Sequence, residues 1–439
     1  MNVTIGKEHI WGGARPVELK REDRPEHIHI IGKTGTGKTT LLKNMLVQDI
    51  LAGEGVALID PHGDFARDIL NYIPPVRLRD VIYFDPSEYE YPIGINLLGN
   101  VPPDSRYLVA SNIISVLRSM WADVWGTGRM QHILNNTLLA LLECGNSTIL
   151  GITRMYTDPY YRAKVLRKVK DPQVREFWIH EFADMEQKNE RLKIEAISPI
   201  QNKVEQFFTP PLRNIFGQCR SAVNFRYIID HHKIFIANLS KGKIGEDKAN
   251  ILGSFLVAQF QNAAMSRADI AEHEREHFYL YVDEFQNFCT SSFASILSEM
   301  RKYRLCLTLA HQYIDQLKDK LGVKEAIYGN VGTLICFRVG TQDANYLREE
   351  FAPYQPPAFA NLDKFMAYAK ICRGGTTGDP FLLETLPFQN ISYGRGEYLI
   401  QYCRNRYGTP RAVVEEKLER WYEKGKARHN DRADENFLE

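Results

Sequence analysis

Apolar residues recur along this chain in two rhythms: short uninterrupted runs suited to buried strands, and longer stretches at helical spacing. Residues 3–20 predict an extended hairpin broken at Gly12-Gly13. An apolar run over residues 27–31 leads straight into Gly32. From Thr39 onward Leu41, Leu42, Met45, Leu46 and Ile50 recur at helical spacing, until Gly53 or Gly55 stops the pattern. Runs over 56–59 and 81–84 each end at an aspartate followed by proline, Asp60-Pro61 and Asp85-Pro86. Strand, helix, strand with the helix as crossover predicts a parallel α/β sheet.

The rhythm changes after about Val101. From Asp104 to about Cys219 the spacing is helical, interrupted by Pro172, Pro199, Pro210 and Pro211. Strand-like runs return at 233–239, 277–282, 305–309, 333–339 and 366–372. The simplest organisation is an α/β core holding an inserted all-helical domain of about 115 residues, a size typical of a separate folding unit. The expected divisions are 1–102 (hairpin and first part of the core), 103–220 (helical insert), 221–410 (remainder of the core) and 411–439. The last begins as a short amphipathic helix through Val414, Leu418 and Trp421 and ends in a polar tail expected to be disordered.

At 439 residues, two folding units are the natural expectation. The formal net charge of +1 excludes a molecule that attracts nucleic acid as a whole, so any DNA contact must come from a local basic patch or the lumen of an assembly. Seven scattered cysteines, never spaced as C-x-x-C, point away from a disulfide framework or a zinc site and towards a reducing cytoplasm. Residues 1–20 carry no signal-peptide core, and the longest uncharged run, 249–266, contains Asn250, Gln259, Gln261 and Asn262. A soluble cytoplasmic protein without a membrane span is expected, reaching a membrane only through partners.

Residues 32–39 match G-x-x-x-x-G-K-[ST]. Glycines let the backbone wrap close to phosphates so that successive N–H groups point inward, and the following helix adds its positive end. Gly32, Thr34, Gly35, Thr36, Gly37, Lys38, Thr39 and Thr40 are the expected nucleotide-binding residues. Lys38 is placed for the β- and γ-phosphates, and the Thr39 hydroxyl for Mg²⁺. The alternative is a glycine-rich turn matching by chance, but the strand before it and the helix after it favour ATP.

The run ending at Val282 meets two carboxylates. Asp283 is placed to hold the Mg²⁺ shell, and Glu284 to polarise the attacking water as general base. The next strand ends in Ala310-His311-Gln312, where the Gln312 amide is a candidate sensor of the γ-phosphate. Arg301, between those two strands, is the first candidate for an arginine finger offered to a neighbouring subunit, with Arg338 second. A basic helix end that complements the helix dipole is the competing reading for Arg301.

Taken in order, residues 32–39, Asp60-Pro61-His62-Gly63-Asp64, Val282-Asp283-Glu284-Phe285-Gln286, Ser298-Glu299-Met300-Arg301-Lys302-Tyr303 and Ala310-His311-Gln312 resemble the HerA–FtsK superfamily. The likeness is greatest to the conjugative coupling proteins of type IV secretion systems and covers roughly residues 25–390. It implies a RecA-like, additional-strand P-loop ATPase that uses ATP and Mg²⁺ and works as a homo-oligomer, a hexameric ring driving DNA through its channel. A relaxase or secretion-channel proteins are the implied partners, and the helical insert is the implied place of contact with DNA or nucleoprotein cargo. Two departures stand out: such proteins usually carry N-terminal membrane helices, and the glycine usual before the strand at 305 is replaced by Arg304.

Several features remain open on sequence alone. Residues 154–175 combine Arg162, Lys164, Arg167, Lys168 and Lys170 with Tyr156, Tyr160 and Tyr161, which suits either phosphate contact with base stacking or a solvated helix over core tyrosines. Lys241 and Lys243 are either lumen-facing or ordinary loop lysines. Asp60 and Asp64 either organise the nucleotide site or shape an Asp-Pro turn. Trp121 and Trp125 read as core. The expected function is a DNA-translocating ATPase; the alternatives are a secretion ATPase moving protein cargo and an ATP-gated docking module for a nucleoprotein partner.

Overall fold

A computed structural model describes residues 1–120, 128–290, 293–317 and 322–435. Trp121 and Trp125 lie outside the described residues. The chain divides into two compact units, Met1–Asp85 with Asn224–Cys403, and Pro86–Val223 with Arg404–Glu439.

The first unit is built on one sheet. Its strands are β1 (Val3–Ile10), β2 (Gly13–Leu19), β3 (Ile28–Ile31), β4 (Gly55–Asp60), β5 (Val81–Phe84), β6 (Ile234–Asn238) and β7 (Phe278–Val282). They continue as β8 (Leu305–His311), β9 (Thr333–Cys336) and β10 (Met366–Lys370). A small ribbon, β11 (Cys372–Arg373) with β12 (Thr376–Thr377), precedes β13 (Phe381–Thr385). The order across the sheet is β2-β1-β13-β10-β9-β3-β8-β7-β4-β6-β5. Every pair from β9 to β5 is parallel, and the pairs from β2 to β9 are antiparallel. The fold is the mostly parallel α/β architecture predicted from the sequence.

Strands β3 to β9 are buried along their whole length, which explains why they read as continuous apolar runs and not as alternating ones. The sequence reading missed β13. Its Glu384 and the flanking Pro380 and Pro387 give a loop-like pattern, yet it pairs with β1 on one side and β10 on the other. Through β13 the N-terminal hairpin joins the sheet.

Helix α1 (Lys38–Leu51) is fixed against β7 by a buried ion pair. Arg24 donates to both Asp49 oxygens (2.5 and 2.8 Å), Tyr281 donates to Asp49 at 2.5 Å, and the Arg24 guanidinium lies 3.6 Å from the Tyr279 ring centroid. A buried pair is tolerated when hydrogen bonds answer most of its charge, as here, and it registers α1 on the sheet. Just before β8, Arg304 holds φ 58° and ψ 28°, the left-handed region that favours glycine. The backbone thus takes a bend that glycine adopts without cost, although the side chain here is arginine.

The second unit is helical, led by α3 (Arg106–Met120) and α4 (Gly128–Cys144). Tyr156, Phe177, Trp178 and Phe182 form a buried aromatic cluster with centroids 4.6–6.3 Å apart. Of the residues weighed as a base-stacking surface, Tyr156 and Tyr161 are therefore core, and Arg162 is held by Glu186 at 2.6 Å. Tyr160 is 43% exposed, and Lys164, Arg167, Lys168 and Lys170 are exposed. The terminal helix runs Arg411–Glu435, beyond the short stretch predicted from Val414, Leu418 and Trp421. It belongs to this unit: Trp421 meets the Tyr161 ring edge-on, and its carbonyl accepts from Arg154 at 2.7 Å. None of the seven cysteines forms a disulfide. Among the described residues no helix is long and apolar enough to cross a membrane.

Candidate active site

In a parallel sheet the carboxyl ends of the strands lie along one edge, where side chains from different strands converge. Here β3 delivers the glycine loop, β7 delivers Asp283-Glu284, β8 delivers Gln312 and β4 delivers Asp60. Because β8 lies between β3 and β7, Gln312 sits between the loop and the acidic pair.

The loop is tied down by backbone hydrogen bonds on three sides. Gly32 N–H donates to His311 O (3.3 Å), Lys33 N–H to Arg338 O (2.8 Å), and Phe365 N–H to Thr36 O (2.9 Å). Two glycines are sterically required. A Cβ at Gly32 would lie 2.5 Å from that of Phe337, and Gly37 combines φ 125° with a Cβ position 2.9 Å from Phe365 Cδ1. Lys38 Nζ donates to Gly32 O (2.5 Å) and Lys33 O (3.2 Å), folded onto the loop it would lend to phosphates. The Thr36 hydroxyl closes the turn onto Lys33 O (2.8 Å). Thr34, Gly35 and Thr39 face solvent, Thr40 is half-buried, and a cleft of about 640 Å³ opens beside Lys33, Thr34 and Gln312. Beneath the loop His29 and His311 share a hydrogen bond at 2.8 Å. Burial keeps both neutral, so no cation competes with Lys38 from below.

Glu284 is held both by its backbone and by its side chain. It holds a left-handed backbone (φ 47°, ψ 47°), a conformation that costs a non-glycine residue about 1–2 kcal/mol and persists where surrounding contacts enforce it. Its amide donates to Asp283 Oδ1 at 3.0 Å. The carboxylate lies between two amides: Gln312 Nε2 donates to Oε1 and Gln286 Nε2 to Oε2, each at 2.7 Å. Since a carboxylate only accepts, both glutamines must present nitrogen to it. Gln312, expected to reach the γ-phosphate or water, is thus bonded to the candidate base.

Burial pushes the Asp283 carboxyl up to about 7, with the Asp60 and Glu284 charges adding and Lys38 opposing. Burial likewise pushes the Lys38 ammonium down, against the pull of Glu284 and Asp283. This crowd of negative charge suits a divalent cation, although no cluster of three or more histidine, cysteine or acidic side chains is poised to hold one among the described residues. Such a set fits Mg²⁺, which takes one or two protein ligands and keeps water and phosphate for the rest. Asp60 accepts from His62 N–H (2.8 Å) and Ala66 N–H (2.9 Å), so it shapes its own turn and acts on the site through charge. Asp64 opens helix α2 (Asp64–Ile69) and is exposed.

The raised Asp283 value has a measurable consequence. An ordinary aspartate ionises near 3.8 and Asp283 near 7, so between those values the folded state keeps a proton that the unfolded chain has lost. Stability therefore falls as pH rises through that window, and the cost, up to about 4 kcal/mol, is complete above it. Asp283→Asn should raise the melting temperature of the nucleotide-free protein, with a gain that grows from pH 5 to pH 8. A gain independent of pH would contradict this electrostatic account.

The structure does not join the finger candidates to this cluster. Arg301 pairs with Glu26 at 2.6 Å and stands 63% exposed. Arg338 flanks its own loop through its carbonyl, and its Nη1 reaches Leu362 O at 3.5 Å.

Comparison with known proteins gives the family and the fold. The family model of the HerA helicase central domain matches residues 15–260, more than half of the chain. The chain belongs to that family. This HerA-type P-loop ATPase also matches, over residues 277–350, the model of the TraM recognition site of TraD and TraG, which relates it to the conjugative coupling proteins. Among solved structures it resembles the bacterial conjugative coupling protein TrwBdeltaN70, with a TM-score of 0.61 and 16% identity over 89% of this chain and 91% of that one. TrwB in complex with ADP and Mg²⁺ aligns at TM-score 0.59 and 17% identity, over 89% of this chain and 92% of that one. VirB4 of Thermoanaerobacter pseudethanolicus aligns at 0.59 and 15%, over 88% and 96%. At such identities the likeness is one of fold. No curated protein matches the chain significantly.

One side chain bonded to Glu284 escaped the sequence reading. Gln286 stands inside the quoted motif but carries no signal of its own, because its relation to Glu284 depends on the left-handed turn between them.

Proposed function

We propose that this chain hydrolyses ATP as one subunit of a ring-shaped motor that moves DNA in a conjugation or type IV secretion system. The observation that carries the hydrolytic part is the Glu284 carboxylate, held by two amides beside Lys38 and Asp283 at the mouth of the glycine loop. A nucleotide switch with little turnover has no need of a base held so closely.

The N–H groups of residues 32–39 would bind the phosphates, and Lys38 would leave the Gly32 and Lys33 carbonyls for the γ-phosphate. Thr39 and Asp283 would hold Mg²⁺, which neutralises charge gathering on the phosphate oxygens. Glu284 would take the proton of the attacking water as its oxygen closes on phosphorus. Gln312, just past the end of β8, would link the fate of the phosphate to the sheet. Arg301, exposed and outside its own cluster, suits a finger for the neighbour's site better than Arg338, which is bound to its own loop. The DNA cargo and the ring are supported by the match to the TraM recognition site and by the fold shared with a conjugative coupling protein.

Steady-state ATPase measurements with and without DNA test the cargo. DNA should raise the rate severalfold, and the stimulation should fade as salt rises, because phosphate contacts weaken with counterion concentration. A rate indifferent to DNA but raised by a protein substrate would replace this reading with a protein-moving secretion ATPase.

A further inference from the structure

The two amides that hold Glu284 are not equivalent. Gln312 lies at the open end of β8 and lines the cleft beside Lys33 and Thr34. Gln286 is 92% buried, on the single turn Phe285–Asn287 that follows Glu284, and Phe285 and Phe288 anchor that turn with no exposed surface. Packing therefore leaves Gln312 free to turn towards a phosphate and gives Gln286 no comparable freedom. A second observation concerns the other end of the Gln286 amide. With Nε2 committed to Glu284, Oε1 is buried and finds no donor among the described residues. A buried acceptor left unanswered is unfavourable, so the working site is expected to supply a donor.

We infer that Gln286 is a water-positioning residue of the hydrolysis site, holding Glu284 in place while its own carbonyl oxygen accepts a hydrogen bond from the attacking water. When Gln312 turns to the γ-phosphate, Glu284 Oε1 is released to receive a proton, while Oε2 stays fixed by Gln286. The water then donates one O–H to Glu284 and the other to Gln286, which aims its lone pair at phosphorus. The oxygen–phosphorus bond forms as the bond from γ-phosphorus to the bridging oxygen breaks, and the departing electron pair goes to ADP. The inference rests on Glu284 being the base.

Gln286→Met keeps the side-chain volume and removes both hydrogen bonds. Its kcat for ATP should fall roughly 10- to 100-fold, with KM within about twofold and an unchanged melting temperature. The same substitution in a Glu284→Gln background, followed by single-turnover hydrolysis, should cost little more, because the two residues act as one unit. A purely structural role would lower both backgrounds alike. Wild-type kcat in Gln286→Met, or an equal further loss in the Glu284→Gln background, overturns the inference. Should the methionine variant fail to fold, Gln286→Leu, which likewise lacks both the donor and the acceptor, carries the same comparison. If Glu284→Gln itself turns over ATP normally, the base assignment falls first, and that result is distinct from a failure of Gln286 alone.

Discussion

Glu284→Gln should bind ATP at close to wild-type affinity and lose roughly 10²- to 10⁴-fold in turnover, the range expected when a positioned general base is removed. The substitution keeps the volume and the left-handed backbone, which is already sustained by the surrounding contacts. It replaces a proton acceptor with a group that has almost no basicity. One neighbour must turn its amide over, because Gln286 and Gln312 both present donors to a side chain that now carries a donor itself. None of the loop residues that hold phosphate is touched, so the loss should fall on kcat and spare KM. Equilibrium ATP binding beside single-turnover hydrolysis separates the two. Loss of binding in step with turnover would mean that Glu284 supports the nucleotide pocket instead of the chemistry.

Arg301→Ala should cost roughly 10³-fold or more in the assembled protein, the scale of an arginine that stabilises charge on a transferring phosphoryl group. In the single chain its partner is Glu26, whose side chain is only 15% exposed while that of Arg301 is 63% exposed, so the variant leaves a largely covered carboxylate at the edge of solvent and should fold with at most a modest loss of stability. The proposed role in a neighbour's site makes a second statement. The wild-type rate per subunit should rise with protein concentration as rings form, whereas the variant should stay low at every concentration. A variant that follows the wild-type curve would remove Arg301 from the site and leave the helix-end reading of its charge.

The parts of this protein that were readable from sequence are those whose chemistry demands residue types at fixed spacing. The loop ahead of Lys38 and the strand ending in Asp283-Glu284 needed no fold to be seen, and the buried parallel strands announced themselves as unbroken apolar runs. The parts that were not readable depend on residues brought together from afar or on a local backbone turn. Glu26 precedes β3 and meets Arg301 only in the folded chain. Gln286 gains its relation to Glu284 from a left-handed residue that no periodicity reveals. Strand β13 is written with Glu384 and flanking prolines, and its place is decided by β10 just before it and by β1, far away in sequence. Tyr156 and Tyr161 carried the composition of a nucleic-acid surface, and only burial assigns them to the helical core.

A structure of the protein with ADP, Mg²⁺ and aluminium fluoride tests the account most directly. The metal fluoride should lie within the loop of residues 32–39, with its axial water roughly 2.6–3.2 Å from the Glu284 carboxylate and Gln312 turned away from it. An axial water held by another side chain, with Glu284 still closed between its two glutamines, would contradict it.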